Sequence, residues 1–504
     1  MKISIHKIKI LLLFIVVTSN INAQNKPNIL VIMADDIGVG DIGYYHTQRT
    51  GKKPVVPTPN IDKLINQGMR FSDAHSPASL CAPTRFSMMT GNFSYRNKKG
   101  PWGVWGPDRD AGIEPNFTTV GRIAKQGGYK TAFFGKWGLG GDWDSKPKTI
   151  QTYNNITKGA SYYGFDYSIA LPEGIQNVPY AFYENGKFMK LKEDSKITKI
   201  PFEQLKYFDE NKRKKGGSVG DSNWDPALAG PILANNAVAY LNKQTNSKQP
   251  FFLYYCSQAV HVPHTPSQKL NGEKIAGATF GNHGDMIKEL DVQVGMMVVA
   301  LKKNNLYNNT LIIFTSDNGG LPNSKYSPLL SKAGHDSSNG LNGFKGSIYE
   351  GGHRIPFTAV WPGQIKPNTE SDIIVVGHDI VPTIAAIANV TIDRKNVLDA
   401  ANLLPVLRGD SNKPIHTYLM HQAQKGKGAY YAIRKGNWKL VMSVTKRDVF
   451  NDLKVIGFYN LSDDIYEKSS ENLKDKEEYK DKIIEMKKKF LELRKDGVST
   501  LSNI

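Results

Sequence analysis

Two pairs of residues with side-chain oxygens occur where apolar segments of the sequence end. Asp35-Asp36 follows PNILVIMA, and Asp317-Asn318 follows NTLIIFTS. Four hard oxygen ligands suit Ca²⁺ or Mg²⁺, and they come without the set of histidines and cysteines that zinc prefers. Either pair alone could as well cap a helix or form a turn. The two pairs together favour a metal site.

Basic residues near glycines add a second kind of chemistry. Lys136 lies in GKWGLGG and Lys345 in GFKGSIYEGG, where glycines let the backbone approach a ligand closely. A third cation, Arg85, lies in SLCAPTRFSMMTG, four residues after Cys81, which is one of only 2 cysteines in the chain. Each lysine by itself could be an ordinary exposed side chain. A metal ion with Arg85 and both lysines would instead enclose a tetrahedral anion and stabilise the charge that develops when its ester is cleaved.

Buried strands that alternate with amphipathic helices must bring these residues together. Four apolar segments bounded by turn residues are predicted strands with polar carboxyl ends: PNILVIMADD, KTAFFGKWG, PFFLYYCSQAVH ending near His261, and NTLIIFTSDNGG. Helical periods lie between them, in TTVGRIAKQGGYK, DMIKELDVQVGMMVVALKK and HDIVPTIAAIANV. The alternation predicts an α/β fold, a mostly parallel sheet sandwiched by helices, with its ligand site beyond the carboxyl ends of the strands.

The sequence changes in character from residue 412 onward. YYAIRKGNWKLVMSV and VIGFYNLSDD indicate antiparallel strands, and DKEEYKDKIIEMKKKFLELRK indicates a terminal amphipathic helix with a solvated Lys/Glu face. We therefore predict a catalytic domain over residues 24–411 and a smaller C-terminal α+β subdomain over residues 412–504.

The first 23 residues, MKISIHKIKILLLFIVVTSNINA, are typical of a secretory signal peptide cleaved after Ala23. The apolar segment is too short to span a bilayer, and no cysteine follows the cleavage site for lipid attachment. We expect an exported chain, periplasmic or extracellular, without a stable membrane anchor. Removal of three lysines with this segment lowers the net charge from +19 to +16. An exported basic protein favours an acidic polysaccharide as partner and not nucleic acid.

The segment CAPTRFSMMTG resembles the signature of the sulfatases, Cys-x-Pro-Ser/Thr-Arg followed by Thr-Gly. The segments ADD, GKW, SDNGG and GFKGSIYEGG resemble the other motifs of that family and occur in the family's order. The resemblance covers the chain from Lys26 to Gly409, and a C-terminal subdomain is also typical of the family. It implies a type I, formylglycine-dependent sulfatase with the alkaline-phosphatase-like fold.

The resemblance implies a chemical modification of Cys81. In the family this cysteine is oxidised during export to formylglycine, an aldehyde, by a formylglycine-generating enzyme whose recognition signal includes Pro83 and Arg85. One hydroxyl of the aldehyde hydrate attacks sulfur and expels the alcohol; the other collapses to the carbonyl and expels sulfate. Two cysteines in an exported chain would otherwise suggest a Cys81–Cys256 disulfide. An unpaired Cys81 becomes the expectation, with Cys256 as a buried apolar residue.

The resemblance also implies ligands for calcium and for sulfate. Arg85 would hold the aldehyde hydrate, and Lys136 and Lys345 would bind sulfate oxygens. Calcium would be bound by the modified residue 81 and by four oxygen-bearing side chains: Asp35, Asp36, Asp317 and Asn318.

Three histidines are candidates for the remaining roles. The family's FFLYY…H-x-P segment places its histidine at His261, as the general acid for the leaving alcohol. His264 in HVPHTP and His353 in EGGHRIP are predicted substrate-binding residues. A lone histidine is also often a structural residue, and this alternative applies to both.

One position departs from the family. The usual Gly-Lys-Trp-His-Leu-Gly reads GKWGLG here, and Gly138 takes the place of the histidine that is the usual base for sulfate release. Proton transfer by a positioned group contributes about 10²–10⁴-fold, so another group must serve, the step must differ, or turnover is slow. We expect His264, three residues after His261, or a bound water to take this role.

These features predict a sulfatase that hydrolyses the sulfate esters of a sulfated polysaccharide or oligosaccharide. Two other classes of protein stay open. One is a phosphodiesterase or phosphonate hydrolase of the same superfamily. The other is a catalytically silent protein that binds acidic glycans, which Gly138 and the basic charge suggest.

Overall fold

The computed structural model describes residues 26–97, 100–103, 111–142, 150–206 and 218–495. The predicted signal peptide, residues 1–23, lies outside these ranges. Among the described residues, no helix has both the length and the apolar character that crossing a membrane requires.

The secondary structure of the described residues alternates between strands and helices along most of the chain. The strands are β1 (Asn28–Ala34), β2 (Met69–Phe71), β3 (Ala74–His75), β4 (Lys130–Lys136), β5 (Tyr167–Leu171), β6 (Phe182–Glu184), β7 (Lys187–Met189), β8 (Ile197–Ile200), β9 (Ser218–Asp221), β10 (Phe251–Cys256), β11 (Lys269–Leu270), β12 (Glu273–Lys274), β13 (Thr310–Ser316), β14 (Phe357–Val360), β15 (Thr369–Ser371), β16 (Val375–Val376), β17 (Leu419–Lys425), β18 (Gly428–Lys435), β19 (Trp438–Val444) and β20 (Lys454–Asn460). The α-helices are α1 (Gly43–Thr50), α2 (Pro59–Asn66), α3 (Cys81–Thr90), α4 (Val120–Gln126), α5 (Ala229–Asn242), α6 (Asn282–Lys303), α7 (Asn323–Tyr326), α8 (Pro328–Lys332), α9 (Glu350–His353), α10 (Ile380–Ala388), α11 (Leu404–Arg408) and α12 (Lys480–Lys495).

A ten-stranded sheet in the order β15-β2-β14-β13-β1-β10-β4-β5-β6-β7 forms the centre of the molecule. Its five central strands, from β13 to β5, are parallel. The strands β14, β6 and β7 pair antiparallel with their inner neighbours. The four strands predicted from the sequence are β1, β4, β10 and β13, which are neighbours in the parallel part. The predicted α/β fold with a mostly parallel sheet is confirmed.

Helices cover both faces of this sheet, which is why its central strands are mostly apolar. Ile29, Val31 and Met33 of β1 pack into one core with α3, α4 and α10. Leu30 and Ile32 point to the opposite face and pack into a second core with α2, α5 and α6. Alternate residues of one strand therefore belong to different cores, as the period of an extended chain requires.

The strand β10 ends at Cys256, whereas the sequence pattern predicted that it continues nearly to His261. The N–H of Ser257 donates to the Met33 carbonyl at 2.9 Å, and the N–H of Asp35 donates to the Ala259 carbonyl at 2.9 Å. The segment after β10 therefore follows the end of β1 as a loop. This loop, and not the strand, carries His261.

The C-terminal part forms its own antiparallel sheet, β17-β18-β19-β20. The terminal helix α12 covers one face of it through four buried side chains: Ile483, Met486, Phe490 and Leu493. Their spacing gives one apolar stripe, and the Lys/Glu residues face outward. The predicted smaller α+β unit is confirmed. The boundary predicted at residues 411 and 412 falls between α11 and β17.

Candidate active site

The carboxyl ends of three central strands meet at one edge of the ten-stranded sheet. Asp35-Asp36 follows β1, Asp317-Asn318 follows β13, and Lys136 is the last residue of β4. The strand β1 is hydrogen-bonded to β13, so its two carboxylates lie beside the Asp-Asn pair. The N–H of Asp36 donates to Asp317 Oδ1 at 3.1 Å, and the amide of Asn318 donates to Asp36 Oδ1 at 2.9 Å. The two predicted oxygen pairs are thus in contact.

Helix α3 brings Cys81 and Arg85 to this edge. Cys81 is the first residue of α3, and Arg85 lies four positions later, so both side chains point from the same face. The Sγ of Cys81 lies 3.9 Å from Asp36 Oδ1. Potential ligand atoms of Asp35, Asp36, Cys81 and His261 all lie within 4.8 Å of one another. The amino end of α3 also adds its positive dipole at residue 81.

Arg85 is buried between two of the strand ends. Its Nη2 donates to Asp317 Oδ2 at 2.7 Å, and its Nη1 donates to the Lys136 carbonyl at 2.8 Å. The guanidinium is 3.7 Å from Asp35 Oδ2. Against its burial, Asp317 and Asp35 raise the pKa of the Arg85 guanidinium, so the group is a permanent cation.

Two lysines complete a ring of positive charge. Lys136 Nζ lies 2.7 Å from Asp35 Oδ2, and Lys345 Nζ lies 2.6 Å from Asp36 Oδ1. Burial would raise the pKa of the Asp35 carboxyl, but nearby cations, Lys136 foremost, lower it to about 2. Burial would likewise raise the pKa of the Asp36 carboxyl, but the positive charge of Lys345 outweighs this effect and the pKa is lowered. Both carboxylates are therefore charged at neutral pH.

Three buried oxygens in the site find no hydrogen-bond donor among the described residues. They are Asp35 Oδ1, Asp36 Oδ2 and Asn318 Oδ1. A buried acceptor without a donor costs free energy, so native proteins rarely leave several together. Burial and the Asp35 charge raise the pKa of the Asp317 carboxyl, which indicates crowding of negative charge at the same point. This set of hard oxygens fits a divalent cation such as Ca²⁺.

The thiol of Cys81 is protonated in this setting. Burial raises its pKa to about 12, although Lys136 and Lys345 act in the opposite direction. A thiol of this kind is a poor nucleophile at neutral pH. Both cysteines are free, and Cys256 is buried in β10, where it packs as the apolar residue that the sequence suggested.

His261 faces the acidic pair through one ring nitrogen. Its Nδ1 lies 2.7 Å from the Val262 carbonyl, so Nδ1 carries the proton and donates. Its Nε2 lies 3.7 Å from Asp36 Oδ2. Burial together with the charges of Lys345 and Lys136 lowers the pKa of the ring to about 4.

The structure does not bring the other two predicted histidines into the group around Cys81. His264 is buried, and its ring stacks on His283 with centroids 4.8 Å apart. His353 is fully buried, and its Nδ1 lies 2.9 Å from Nδ1 of His75. Both rings are buried, and a role of His264 and His353 in substrate binding stays a prediction.

The sequence patterns missed Glu173, which follows β5 at the same edge of the sheet. It is 7% exposed, and Lys136 and Arg85 act on its carboxyl. A charged residue beyond the carboxyl end of a parallel strand is the signal that identified the other site residues. It was not applied here because DYSIALPEG was not recognised as containing a strand.

Comparisons with known proteins identify relatives over most of the chain. A family model described as Sulfatase matches residues 27–390, and one described as N-sulphoglucosamine sulphohydrolase, C-terminal, matches residues 344–496. An N-acetylgalactosamine-6-O-sulfatase of Bacteroides thetaiotaomicron is 31% identical over 487 residues, which cover 89% of this chain and 90% of that protein. Arylsulfatase A of Bos taurus is 29% identical over 85% of this chain and 77% of its own length.

Two solved structures extend the comparison to the whole fold. The first comes from work on the metabolism of multiple glycosaminoglycans by Bacteroides thetaiotaomicron. It has a TM-score of 0.78 and 27% identity and covers 93% of this chain and 99% of that one. The second was solved with its substrate D-glucosamine-2-N,6-O-disulfate. It has a TM-score of 0.63 and 19% identity and covers 93% of this chain and 98% of that one. At that identity it supports the fold alone.

Proposed function

Because the chain belongs to the sulfatase family and is a sulfuric ester hydrolase, we propose that it cleaves the sulfate esters of a sulfated saccharide at the group around Cys81. One observation carries the proposal. Two buried cations, Arg85 and Lys136, and the partly exposed Lys345 converge at the side chain of residue 81 with three buried oxygens that have no donor among the described residues. Fixed positive groups in a water-poor site are what the developing charge of sulfate-ester cleavage requires.

The class of saccharide follows from the relatives and from the charge. The N-acetylgalactosamine-6-O-sulfatase matches nearly the full length of the chain. We therefore propose a sulfated hexosamine of a glycosaminoglycan-type polymer as the substrate. The net charge, +19 for the full chain and +16 without residues 1–23, supports this class, because a basic surface attracts a polyanion.

We propose Ca²⁺ as the metal of this site. Asp35, Asp36, Asp317 and Asn318 would hold it, because their oxygens are hard ligands and three of them lack donors among the described residues. The bound ion would act as a Lewis acid on a sulfate oxygen.

We propose that residue 81 works as formylglycine, made by a formylglycine-generating enzyme during export directed by residues 1–23. The modified side chain would supply an oxygen nucleophile through its hydrate. The site fits this group, since the position is at the start of α3 beside Arg85, and the unmodified thiol is protonated and weakly nucleophilic.

The chain's own residues would bind and orient the substrate. Lys136 and Lys345 would hold sulfate oxygens, and Arg85 would keep residue 81 in position. The Val262 carbonyl fixes the proton of His261 on Nδ1, so Nε2 is the ring atom that could exchange a proton with the leaving alcohol.

Activity on defined substrates tests the proposal. Protein produced together with the modifying enzyme should release sulfate from a 6-sulfated N-acetylgalactosamine oligosaccharide and should act far less on an aryl phosphodiester. Mass spectrometry should find an aldehyde at residue 81. Cys81→Ala should lose the aldehyde and the activity, whereas Cys256→Ala should keep both, because Cys256 lies inside β10.

Two results would contradict it. Faster turnover of the phosphodiester would favour the alternative hydrolase class. Full sulfatase activity in protein whose Cys81 remains a thiol would refute the formylglycine part while leaving the substrate class standing.

A further inference from the structure

Gly138 lies close against the cations of the site. It has φ of +67°, and its N–H donates to the Pro172 carbonyl at 2.8 Å. A Cβ at this position would lie 3.0 Å from Cδ of Arg85 and 3.9 Å from Cε of Lys136. The Nε of Arg85 is buried and has no hydrogen-bond partner among the described residues. The backbone of Gly138 therefore packs directly on the side chain of Arg85, next to a buried donor.

A buried carboxyl group lies on the same side. Glu173 follows Pro172, and its carboxyl accepts a hydrogen bond from the Gly140 backbone N–H. The other oxygen, Oε1, is buried and receives no donor from the described part of the chain. The stem of Lys136 runs across Gly174, where a Cβ would lie 2.9 Å from Lys136 Cδ. The turn that carries Glu173 thus packs directly on Lys136.

The charges around Glu173 come from two elements. Lys136 belongs to β4 and Arg85 to α3, and both favour the ionised carboxylate. Burial is the larger effect and raises the pKa of Glu173 to about 8. Glu173 is therefore mostly neutral at neutral pH and becomes negative in mildly alkaline solution.

We propose that Glu173 is a positioning residue for the sulfate group, acting through Lys136. While Glu173 is neutral, the charge of Lys136 is available to the sulfate; once Glu173 is ionised, it competes with the sulfate for that charge. This inference rests on the proposed function, because it takes Lys136 and Arg85 to be sulfate ligands. Binding and protonation are then reciprocally linked, so sulfate binding moves a proton from the buffer to the Glu173 carboxylate.

Calorimetry with inorganic sulfate tests the linkage without turnover. The full-length protein is produced without the modifying enzyme, so that residue 81 stays cysteine, and is titrated with sulfate in the presence of Ca²⁺. We expect Kd to rise about tenfold from about pH 6.5 to about pH 9.5, because each pH unit above the pKa of Glu173, about 8, can weaken binding by up to about tenfold when the sulfate-bound protein keeps the proton. Titrations near the pKa of Glu173, in buffers with different ionisation heats, should show net proton uptake.

Matched variants assign the effect to this carboxyl. Glu173→Gln should remove both the proton uptake and the pH dependence, and Glu173→Asp should retain proton uptake. Glu184→Gln removes the same charge from an exposed position on β6 and should leave both intact. In the modified enzyme, KM of the parent should rise in alkaline solution more than kcat changes, and Glu173→Gln should abolish that rise.

The outcomes separate the two proposals. Sulfate binding that is absent, or that Lys136→Ala does not weaken, contradicts the proposed sulfate site. Binding that depends on Lys136 but is independent of pH and takes up no proton overturns only the role of Glu173. If Glu173→Gln fails to fold, the parent protein alone still tests the role of Glu173. Proton uptake on sulfate binding supports that role, and its absence overturns it.

Discussion

At the scale of single residues, Arg85 balances the negative charge of the strand ends. It is 2% exposed, and its guanidinium lies 2.7 Å from Oδ2 of Asp317, which is fully buried. Arg85→Ala leaves Asp317 buried without this partner. We expect a loss of about 3–5 kcal/mol in the free energy of unfolding, measured by chemical denaturation.

An exposed pair provides the control for this prediction. Arg49 and Asp336 are 3.9 Å apart, and their side chains are 32% and 42% exposed. Arg49→Ala should change the free energy of unfolding by less than about 1 kcal/mol, because solvent screens the pair. Equal losses in the two variants would mean that burial of Arg85 does not determine its contribution.

A second prediction at this scale concerns the three buried site oxygens that have no hydrogen-bond donor among the described residues. Ca²⁺ should bind the folded chain and not the unfolded one, and so stabilise it by about 2.7 kcal/mol when its concentration is 100 times Kd. Chelation should lower Tm, and the shift should be smaller in Asn318→Ala, which lacks one of the oxygens. Asn236→Ala on α5 should keep the full shift. A Tm that does not respond to chelator or to added Ca²⁺ would rule the metal out.

At the scale of elements, the end of α3 decides where Cys81 and Arg85 lie. Gly91 terminates α3 with φ of 72°, and a Cβ there would lie 2.6 Å from Cγ1 of Val397. Gly51 terminates α1 with φ of 67°, and a Cβ there would meet nothing within 4 Å. Replacing Gly51 therefore measures the cost of backbone strain alone, whereas replacing Gly91 adds a steric clash with Val397.

Alanine at each glycine tests the position of α3. Gly51→Ala should destabilise the protein by about 1 kcal/mol, the cost of the left-handed conformation. Gly91→Ala should cost more, and its kcat/KM should fall because the helix that carries two site residues must shift. Similar losses of stability, with activity unchanged in both, would show that the packing of Gly91 against Val397 does not set the site.

At the scale of the whole molecule, a buried chain of hydrogen bonds joins the C-terminal sheet to the strands behind the site. Lys439 of β19 lies 3.2 Å from Nε2 of His353. The Nδ1 atoms of His353 and His75 are 2.9 Å apart. The chain ends where Nε2 of His75 lies 2.7 Å from Oδ1 of Asp73. One proton arrangement satisfies all of these contacts, with Lys439 donating to His353, His353 to His75, and His75 to Asp73. The nitrogens of these two rings are all engaged, so they leave no lone pair for a metal, although His75, His353 and His421 lie close enough to hold one.

These neutral rings make stability depend on pH. Burial lowers the pKa of His75, His353 and His421, and that of His283 and His378 to about 4. The unfolded chain takes up protons near pH 6.5, where the folded chain does not, so the free energy of unfolding should be highest above that pH and fall as the pH drops towards about 4. Each such histidine adds up to about 1.4 kcal/mol per pH unit.

Denaturation at a series of pH values checks this dependence. The slope of unfolding free energy against pH below about pH 6.5 should decrease in His421→Gln by roughly one proton's contribution. A parent protein whose stability is constant between about pH 7 and pH 5 would contradict the neutral state assigned to these rings.

Local patterns in the sequence were sufficient to predict the strands that carry most of the site residues. The strands β1, β4, β10 and β13 are apolar because both faces of the sheet are covered, and this alone made them recognisable. The polar residues at their carboxyl ends then had to meet at one edge, because parallel neighbours end together. The short strands β2, β14 and β15 were not predicted, since three or four residues at the margin of a sheet are too few to show a hydrophobic period.

The sequence by itself determined which residue types stand at the strand ends, the four-residue spacing that puts Cys81 and Arg85 on one helix face, and the basic charge of the chain. Only the tertiary structure decided which other groups join them. It brought Glu173 against Lys136, turned His264 towards His283, and buried His353 in the hydrogen-bonded chain. The physical reason is that these contacts link residues far apart in sequence, and burial and neighbouring charges, which set the protonation state of each group, exist only once the chain is packed.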